Sequence, residues 1–528
     1  MNPELVNASE LLDANVERGR AGRIALRHRE RALTYADLLA LTCRVGAGLA
    51  ALGVRREDRV AMVMDDRPEF VATFLGAIRI GAVPVPVNPL LRSPDDYRYV
   101  LDDSLARAVV ADAAFLPKVA AARRGAGEVR ALVAVGEPGE GGDGADLTFA
   151  DLVDGRPDHV DAAPTRHDDM AFWLYSSGST GRPKAVVHLQ HDMDVTARTY
   201  ARTVLGVGED DVTFSTTKLF HAYGLGNALT FPLTFGGSSL LLDGRPTPAA
   251  VLGTIAAFRP TLFFSVPTLY NLILASPEAA TADLSSVRLC ASAAEQLPAD
   301  VWRRWKERFG VTILDGVGST EMLHIYLSNR ADDCVPGSTG VAVEGYRLRI
   351  VGEDGRDVGA GTAGTLLVAG DSALALYWAQ HRKTVSSMLG EWFVTGDRYR
   401  QDESGHYWYE GRADDMIKVG GLWVSPVEVE STLIEHPAVA EGAVIGVVVD
   451  GLVRIKAYVV PAPDADGAGD ELRAALQGWC KDRLQRYQYP HLIEFVDELP
   501  KTTTGKIQRY RLREESAGVE SAGEEAMA

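Results

Sequence analysis

The sequence predicts a multidomain α/β protein, and three observations along its 528 residues support this. From about 34 to 314, β-branched runs alternate with segments of helical apolar spacing, which favours largely parallel sheets. From about 337 to 370, short alternating strands with glycine turns indicate a β subdomain. After about 411, strands and one amphipathic helix predict a small α+β domain of roughly 100 residues.

The first elements are predicted by capping and periodicity. Thr34 and Asp37 have the spacing of a helix start, with a capping hydroxyl and an acid three residues later. Helical spacing continues to about Leu52, and Gly53 can end the helix. The next elements are predicted in this order: a strand at 58–64, a helix at 68–80, an extended segment at 82–87, a helix at 95–103 and a strand at 108–111.

The later elements continue the alternation, interrupted by a Gly- and Glu-rich segment at 136–146 that indicates a surface loop. They are predicted as strands at 171–175, 185–188, 260–266 and 287–291, a helix at 299–309, a strand at 311–314, strands at 443–449 and 453–460, a helix at 470–484 and a strand at 492–496.

We expect a domain boundary near 411–415. The large N-terminal domain, 1–413, would hold two α/β subdomains and the β subdomain. The small domain, 414–513, would be mobile relative to it. The remaining residues, 514–528, are rich in Glu, Ser and Gly and are expected to be a disordered tail.

Composition excludes several classes of protein. The 54 basic and 72 acidic residues give a net charge of −18, which argues against nucleic-acid or anionic-membrane binding. The N-terminus has no basic and apolar signal pattern, and no apolar run is long enough to span a bilayer. Cys43, Cys290, Cys334 and Cys480 are scattered, so neither a metal site nor a disulfide framework is expected. A cytoplasmic protein is the default expectation.

Residues 175–184 have the sequence YSSGSTGRPK and join two predicted strands. Hydroxyls, cations and backbone N–H groups in such a loop suit a polyphosphate, and Gly178 and Gly181 let the backbone approach an anion closely. The loop is not a P-loop, because Gly-Lys-Ser/Thr and a following helix are both missing. The alternative is a Ser/Gly-rich surface hairpin.

Five further motifs accompany this loop, in a fixed order along the chain. They are KLFHAYG at 218–224, DGVGSTE at 315–321, EWFVTGD at 391–397, GRADDMIK at 411–418 and PKTTTGK at 500–506. Together they resemble the adenylate-forming superfamily, which includes acyl- and aryl-CoA synthetases, peptide-synthetase adenylation domains and firefly luciferase. The resemblance covers almost the whole chain. Segments 219–231, 318–325 and 421–426 resemble the benzoate-CoA ligase branch most closely.

The resemblance implies a ligase that uses ATP, Mg²⁺ and CoA. A carboxylic acid and ATP give an acyl-adenylate and pyrophosphate, and the CoA thiol then displaces AMP. The first step brings a carboxylate to an anionic phosphate, a repulsion of about 4 kcal/mol at ~4 Å and an effective dielectric near 20. Lys506 is implied as the cation that offsets this repulsion. A solvated surface lysine is the alternative.

The resemblance also implies roles for the residues around ATP. Glu321 would hold Mg²⁺, Thr320 would donate to the α-phosphate, and Asp397, assisted by Arg412, would accept from the ribose hydroxyls. The expected catalytic residues are Lys506, Thr320, Glu321 and His221. The implied nucleotide site comprises Ser176, Ser177, Gly178, Ser179, Thr180, Gly181, Lys184, Ser292, Ala293, Ala294, Glu295, Asp315, Gly316, Asp397 and Arg412.

The implied acid pocket is a flat apolar slot with one polar wall, which suits an aryl carboxylate. It would be enclosed by Ala222, Tyr223, Gly318, His324 and Ile325, with Lys418 nearby. Ordinary core packing is the alternative for Tyr223 and His324.

Two residues depart from the branch pattern. His221 stands where the branch has Phe. It would either gate the pocket or contact the acid, so a larger or substituted acid is also possible as the substrate. Ala185 replaces a glycine after the loop lysine, and no loss of activity follows from it.

For thioester formation, the resemblance places a hinge at Asp414. Rotation there would withdraw Lys506 and bring Gly420 and Gly421 to the site. A glycine at 421 would leave room for a thin pantetheine arm.

Several hypotheses remain besides an aryl-acid:CoA ligase. The acid could be a bulkier biosynthetic one, or a carrier protein acting in trans could be the acceptor. A non-catalytic nucleotide-binding or scaffold protein is a further class, which Lys506, Glu321 and Asp397 argue against. The identity of the acid and the formation of a homodimer are left open.

Overall fold

The structure is a computed structural model, and it describes residues 6–136, 144–176, 182–413, 415–419, 422–449, 452–462, 469–501 and 507–516. It confirms the predicted α/β class and the order of parts along the chain. Within these residues, no helix combines the length and the apolar character needed to cross a bilayer.

The first part of the chain is an α/β unit. Its elements are α1 (Leu11–Asn15), β1 (Ile24–His28), β2 (Arg31–Thr34), α2 (Tyr35–Ala51), β3 (Arg59–Val63), α3 (Pro68–Arg79), β4 (Val83–Pro86), α4 (Pro94–Ser104), β5 (Ala106–Asp112), α5 (Leu116–Arg123), β6 (Ala131–Val135), β7 (Leu147–Thr148) and α6 (Phe149–Val153). The strands β4-β3-β5-β6-β7 form a parallel sheet in that order. Thr34 and Asp37 form the predicted capping box of α2.

The second part forms most of a nine-stranded sheet. Its elements are β8 (Met170–Ser176), β9 (Lys184–Leu189), α7 (Asp192–Thr196), β10 (Val212–Ser215), α8 (Ala222–Leu225), α9 (Phe231–Phe235), β11 (Ser238–Leu241), α10 (Pro248–Phe258), β12 (Leu262–Ser265), α11 (Pro267–Ala275), β13 (Leu289–Ser292), α12 (Ala299–Phe309), β14 (Ile313–Gly318) and β15 (Ile325–Ser328).

The third part is the predicted β subdomain. Its elements are β16 (Val341–Ala342), β17 (Arg347–Val351), β18 (Gly364–Ala369), β19 (Leu376–Tyr377), α13 (His381–Ser387), β20 (Met388–Leu389), β21 (Trp392–Gln401) and β22 (Tyr407–Arg412). The strands β17-β18-β21-β20 form an antiparallel sheet, and β22 also pairs with β21.

Two further sheets involve these parts. The nine-stranded sheet has the order β16-β15-β14-β13-β12-β10-β11-β1-β2, and it is parallel from β14 to β1. A small antiparallel sheet, β19-β9-β8, carries the strands that flank the Ser/Gly-rich loop. The parallel strands β10, β12, β13 and β14 all end at one edge, where the loops of an open α/β sheet form ligand sites.

The C-terminal part has hydrophobic cores of its own. Its elements are β23 (Ile417–Val419), β24 (Leu422–Val424), α14 (Pro426–Ile434), β25 (Val439–Val449), β26 (Leu452–Pro461), α15 (Asp470–Arg483) and β27 (Leu492–Phe495). One core cluster runs from Ile417 to Ile493 and a second includes Leu499 and Leu512. This agrees with a small α+β domain.

The predicted tail begins too early. Residues 509–516 are helical, and the Oγ atom of Ser516, a buried residue, accepts a hydrogen bond from Lys456 Nζ at 3.1 Å. The rest of the predicted tail, 517–528, lies outside the described residues.

Candidate active site

The Ser/Gly-rich loop connects β8 and β9, which pair as an antiparallel hairpin with Ser176 opposite Lys184. The strand-to-strand prediction is therefore confirmed, although residues 177–181 lie outside the described chain. Both ends of the loop are tied to α4. The Tyr175 hydroxyl donates to Asp103 Oδ2 at 2.6 Å, and the Tyr99 hydroxyl donates to the Pro183 carbonyl at 2.9 Å.

The motif at 315–321 ends β14 and turns at once into a short 3₁₀ helix, Thr320–Met322. Ser319 caps this turn, since its Oγ accepts from the Met322 N–H at 3.2 Å. The turn faces β9, where His188 Nε2 donates to the Thr320 carbonyl at 2.8 Å. Thr320 and Glu321 are therefore held beside the strand that begins with Lys184.

Glu321 lies among groups suited to bind phosphate and a cation. The hydroxyls of Tyr377 and Ser176 donate to its Oε1 atom at 2.8 and 3.4 Å. The Lys184 ammonium lies 4.8 Å from the centroid of the Tyr377 ring. Burial lowers the pKa of Lys184, and the charge of Glu321 opposes that shift. A cation and a carboxylate thus stand close together at the loop.

The donor set fits Mg²⁺. This ion is usually held by one or two carboxylates together with substrate phosphates, and it seldom has a cage of protein ligands. The described residues contain no cluster of three His, Cys, Asp or Glu side chains that could hold a metal. Glu321 alone, beside the strands that flank the Ser/Gly-rich loop, matches that mode of binding.

Asp397 and Arg412 face each other across β21 and β22. Arg412 Nη1 donates to Asp397 Oδ1 at 3.1 Å and to the Thr395 carbonyl at 3.0 Å. Gly396 has φ +75°, and a Cβ there would lie 2.9 Å from Arg412 Nη2. The glycine in this motif therefore lets the guanidinium lie over the backbone next to the carboxylate.

The predicted adenine segment lies at the ends of β13 and β14, where Ser292 pairs with Asp315. Burial raises the pKa of Asp315. After Ser292, Ala293 is buried, Ala294 takes φ +77° and Glu295 accepts from the Thr268 hydroxyl at 2.8 Å. Gly316 is closely packed, because a Cβ there would lie 3.0 Å from the Leu327 carbonyl oxygen and from Ile325 Cγ2.

The predicted acid-pocket residues converge from two elements. Ala222 and Tyr223 begin α8, and His324 and Ile325 begin or precede β15. His324 Nε2 lies 3.3 Å from the Tyr223 carbonyl, so the two segments are in contact. A Cβ on Gly318 would lie 2.4 Å from the His324 carbonyl oxygen, so this glycine permits the close approach.

His324 is an uncharged ring packed among other aromatic rings. It is 2% exposed, and its ring centroid lies 4.5 Å from that of Phe231 and 5.4 Å from that of Tyr223. Burial lowers the pKa of His324 to about 3, so the ring is neutral at ordinary pH. Gly226 is part of this arrangement, because a Cβ there would lie 2.3 Å from His324 Cδ2.

His221 and Lys418 have different settings. His221 is the residue before α8, and its ring packs on Phe220 with centroids 4.0 Å apart. His221 directly precedes Ala222, the first of the predicted pocket residues. Lys418 is exposed on β23 of the C-terminal part.

Several predicted site residues lie outside the described chain. They are Ser177, Gly178, Ser179, Thr180, Gly181, Asp414, Gly420, Gly421 and Lys506. Described residues that follow Asp414 and Lys506 form an ion-pair cluster. Arg509 Nη2 lies 2.6 Å from Glu430 Oε2, and Arg509 and Arg513 both pair with Asp415. The segment that follows Lys506 is thereby tied to the residue after the predicted hinge.

Sequence reasoning missed three polar residues that support the site. His188 and Tyr377 contact Thr320 and Glu321, and Asp66 accepts from the Leu219 N–H at 2.9 Å, at the start of the acid-pocket segment. A histidine within the apolar run AVVHL was a usable signal, because a buried polar group needs a partner. Tyr377 and Asp66 carried no such signal.

Comparisons with known proteins match almost the whole chain. The sequence profile of AMP-binding enzymes matches residues 12–378, and that of the AMP-binding enzyme C-terminal domain matches 428–506. The benzoate–CoA ligase of Thauera aromatica is 47% identical over 515 residues, covering 97% of this chain and 96% of that protein. The 4-hydroxybenzoate–CoA/benzoate–CoA ligase of Rhodopseudomonas palustris is 44% identical, with coverages of 98% and 96%.

Solved structures are similar over almost the whole chain. The anthranilate CoA ligase AuaEII in complex with anthranoyl-AMP superposes with a TM-score of 0.94 at 42% identity, covering 98% of this chain and 99% of that one. A benzoate CoA ligase from Burkholderia xenovorans LB400 gives 0.89 at 43% identity, with coverages of 96% and 99%.

Proposed function

The chain belongs to the family of AMP-binding enzymes, and from this premise we propose that its acid substrate is benzoate or a benzoate with a small ring substituent. It is an aryl-CoA ligase that works through an acyl-adenylate. The observation that carries the substrate proposal is the cluster of aromatic rings formed by His324, Tyr223 and Phe231. Both titratable rings are neutral, because burial lowers the pKa of His324 to about 3 and raises the pKa of Tyr223. Nothing charged therefore competes with an aromatic ring for that space.

In the first half-reaction, a carboxylate oxygen of the acid attacks the α-phosphorus of ATP, and pyrophosphate leaves. We assign Lys506 to the repulsion between these two anions, and Lys184 to the phosphates that leave. Thr320 donates to the α-phosphate from a turn that His188 holds by its carbonyl. Cations placed in advance of the reaction stabilise the transition state without the cost of reorienting water.

Glu321 is the residue proposed to hold Mg²⁺, which when bound would neutralise charge on the phosphates. Asp397 is proposed to accept from the ribose hydroxyls. Its contact with Arg412 through Oδ1 orients the carboxylate.

In the second half-reaction, the CoA sulfur attacks the acyl carbon, and AMP leaves with the oxygen that the acid contributed. We propose that rotation at Asp414 withdraws Lys506 and brings Gly420 and Gly421 to the adenylate. The separate hydrophobic cores of the C-terminal part support movement as a unit. Because ATP and CoA are the co-substrates, the cytoplasm remains the expected compartment.

A bulkier acid and a carrier-protein acceptor are the alternatives. The short distances around Gly318 and Gly226 support a small acid, since both glycines already pack against His324. No observation in the described chain favours a carrier protein or a homodimer.

The test is ATP–pyrophosphate exchange over a panel of acids. We expect the highest kcat/KM for benzoate and its amino or hydroxy derivatives, and values at least about tenfold lower for naphthoate and cyclohexanecarboxylate, a difference of about 1.4 kcal/mol. Free CoA and a holo carrier protein are then compared as acceptors. A preference for a polycyclic acid, or for the carrier, would overturn the proposal.

A further inference from the structure

Tyr377 contacts both charged side chains that the proposed function places at the phosphates. It belongs to β19, which pairs with β9, and it is 3% exposed. Its hydroxyl donates to Glu321 Oε1 at 2.8 Å, and its ring receives the Lys184 ammonium 4.8 Å from the centroid. Tyr377 therefore contacts the Glu321 carboxylate through its hydroxyl and the Lys184 ammonium through the face of its ring.

The hydroxyl determines which oxygen of Glu321 is available. In the described chain, the hydrogen bonds to this carboxylate, from Tyr377 and Ser176, both reach Oε1. A carboxylate held through one oxygen presents the other in a fixed direction. Hydrogen-bonded neighbours of metal ligands orient those ligands in this way.

The ring determines where Lys184 rests. Lys184 and Glu321 influence each other electrostatically, yet no ion pair within 4.0 Å joins these two described residues, and the ammonium lies over the Tyr377 ring instead. An ammonium over an aromatic face is stabilised by the negative charge of the ring face. Lys184 therefore lies over the Tyr377 ring and does not form a salt bridge with the Glu321 carboxylate.

The position of Tyr377 is itself fixed. Its backbone N–H donates to Thr384 Oγ1 at 3.0 Å. On the other side, the Leu374 N–H donates to the Glu321 carbonyl at 2.6 Å. The turn that holds Glu321 and the strand that holds Tyr377 are therefore joined by backbone as well as by side-chain contacts.

We propose that Tyr377 is a positioning residue that holds Glu321 and Lys184 apart, so that Glu321 presents Oε2 to the metal of the metal–ATP complex and Lys184 stays available to phosphate. This rests on the proposed roles of Glu321 and Lys184. Tyr377 acts through these two side chains and needs no contact with ATP.

Two variants separate the effect of the Tyr377 hydroxyl from the effect of its ring. Tyr377→Phe keeps the ring and removes the hydroxyl, and Tyr377→Leu removes both. The first readout is Mn²⁺ binding to the protein with ATP, from the electron paramagnetic resonance signal of free Mn²⁺. The second is the KM for ATP in pyrophosphate exchange at saturating Mg²⁺.

Tyr377→Phe should weaken Mn²⁺ binding about tenfold or more and leave the KM for ATP at saturating Mg²⁺ nearly unchanged. Tyr377→Leu should show the same metal defect and also raise that KM. Tyr97→Phe is the matched control, because it removes a buried hydroxyl that donates to the Pro89 carbonyl at 2.6 Å, and it should change neither value.

Conversion of supplied benzoyl-adenylate and CoA to the thioester shows that each variant is folded, since that step uses neither Glu321 nor Lys184. A folded Tyr377→Phe variant with wild-type Mn²⁺ affinity overturns the inference. If the wild-type protein shows no metal-dependent exchange with any aryl acid, the proposed function fails instead.

Discussion

His188 Nε2 lies 2.8 Å from the carbonyl oxygen of Thr320, and His188 is completely buried. The other ring nitrogen, Nδ1, lies 2.7 Å from Asp192 Oδ2. His188 follows Lys184 on β9, so one strand carries the loop lysine and also holds the turn of Thr320 and Glu321. The residues proposed to bind phosphate and those proposed to bind the metal are therefore held by the same strand.

Replacing His188 by Leu should therefore impair adenylation. The Thr320 carbonyl and the Asp192 carboxylate would each lose one hydrogen bond and keep another, from the Leu323 and Leu189 N–H groups. The loss should cost about 0.5–1.5 kcal/mol at the carbonyl and about 1.5–3 kcal/mol at the charged carboxylate. We expect a lower Tm and a higher KM for ATP in pyrophosphate exchange. His28→Leu is the control, because His28 is also buried in a strand but lies beside Asp243. A His188→Leu variant with the wild-type KM for ATP would contradict this role.

Asp397 should discriminate ribose from deoxyribose. Loss of a hydrogen bond to a charged group costs about 1.5–3 kcal/mol, or roughly 10- to 100-fold in kcat/KM for ATP. The wild-type protein should use 2′-deoxy-ATP or 3′-deoxy-ATP poorly. Asp397→Ala should use ATP and the deoxy analogues about equally. If the variant still discriminates between them, Asp397 does not bind the ribose.

Asp66 should make stability depend on pH. It is 2% exposed, and burial raises its pKa to about 7, while Lys218 opposes the shift. Between about pH 4 and 7 the folded state keeps a proton that the unfolded state has released, so stability falls as pH rises. Above about pH 7 the loss is constant.

Asp66→Asn removes this titration and can still accept from the Leu219 N–H. The difference in Tm between the variant and the wild-type protein should therefore grow in favour of the variant from pH 5 to 7, and then level off. Each pH unit in this window corresponds to at most about 1.4 kcal/mol. A difference that is constant from pH 5 to 8 would show that Asp66 is ionised throughout.

Lys506→Ala should separate the two half-reactions. Adenylate formation should fall by at least about 100-fold, because a positioned charge in the transition state is lost. Thioester formation from supplied benzoyl-adenylate should be largely retained. Lys501→Ala is the control, since Lys501 lies in the same segment but pairs with Glu441. Equal loss of both half-reactions would show that Lys506 has another role.

The sequence predicts those features of the fold that depend on local patterns. The alternation of strands and helices, the capping box of α2 and the hairpin around the Ser/Gly-rich loop depend on neighbouring residues, and the structure confirms them. The pairing of β19 with β9 joins Tyr377 to Val186 across almost two hundred positions. No periodicity in the sequence specifies such a contact.

The same distinction holds for the site. Asp397 and Arg412 belong to recognisable motifs, and the structure brings them together. His188, Tyr377 and Asp66 act on motif residues from other elements, so their roles depend on tertiary packing. The predicted start of the tail at 514 also differs from the structure, because Ser516 is buried by contacts with β26, which is distant in sequence.

Transfer of an oxygen isotope from the acid is the most direct test of adenylate chemistry at this site. Benzoate labelled with ¹⁸O in its carboxylate is incubated with the enzyme, ATP, Mg²⁺ and CoA, and the phosphate products are analysed by mass spectrometry. Attack by the carboxylate on the α-phosphorus should place one ¹⁸O atom in AMP and none in pyrophosphate. Unlabelled AMP, or label in ADP or inorganic phosphate, would show that the acid is not activated as an adenylate.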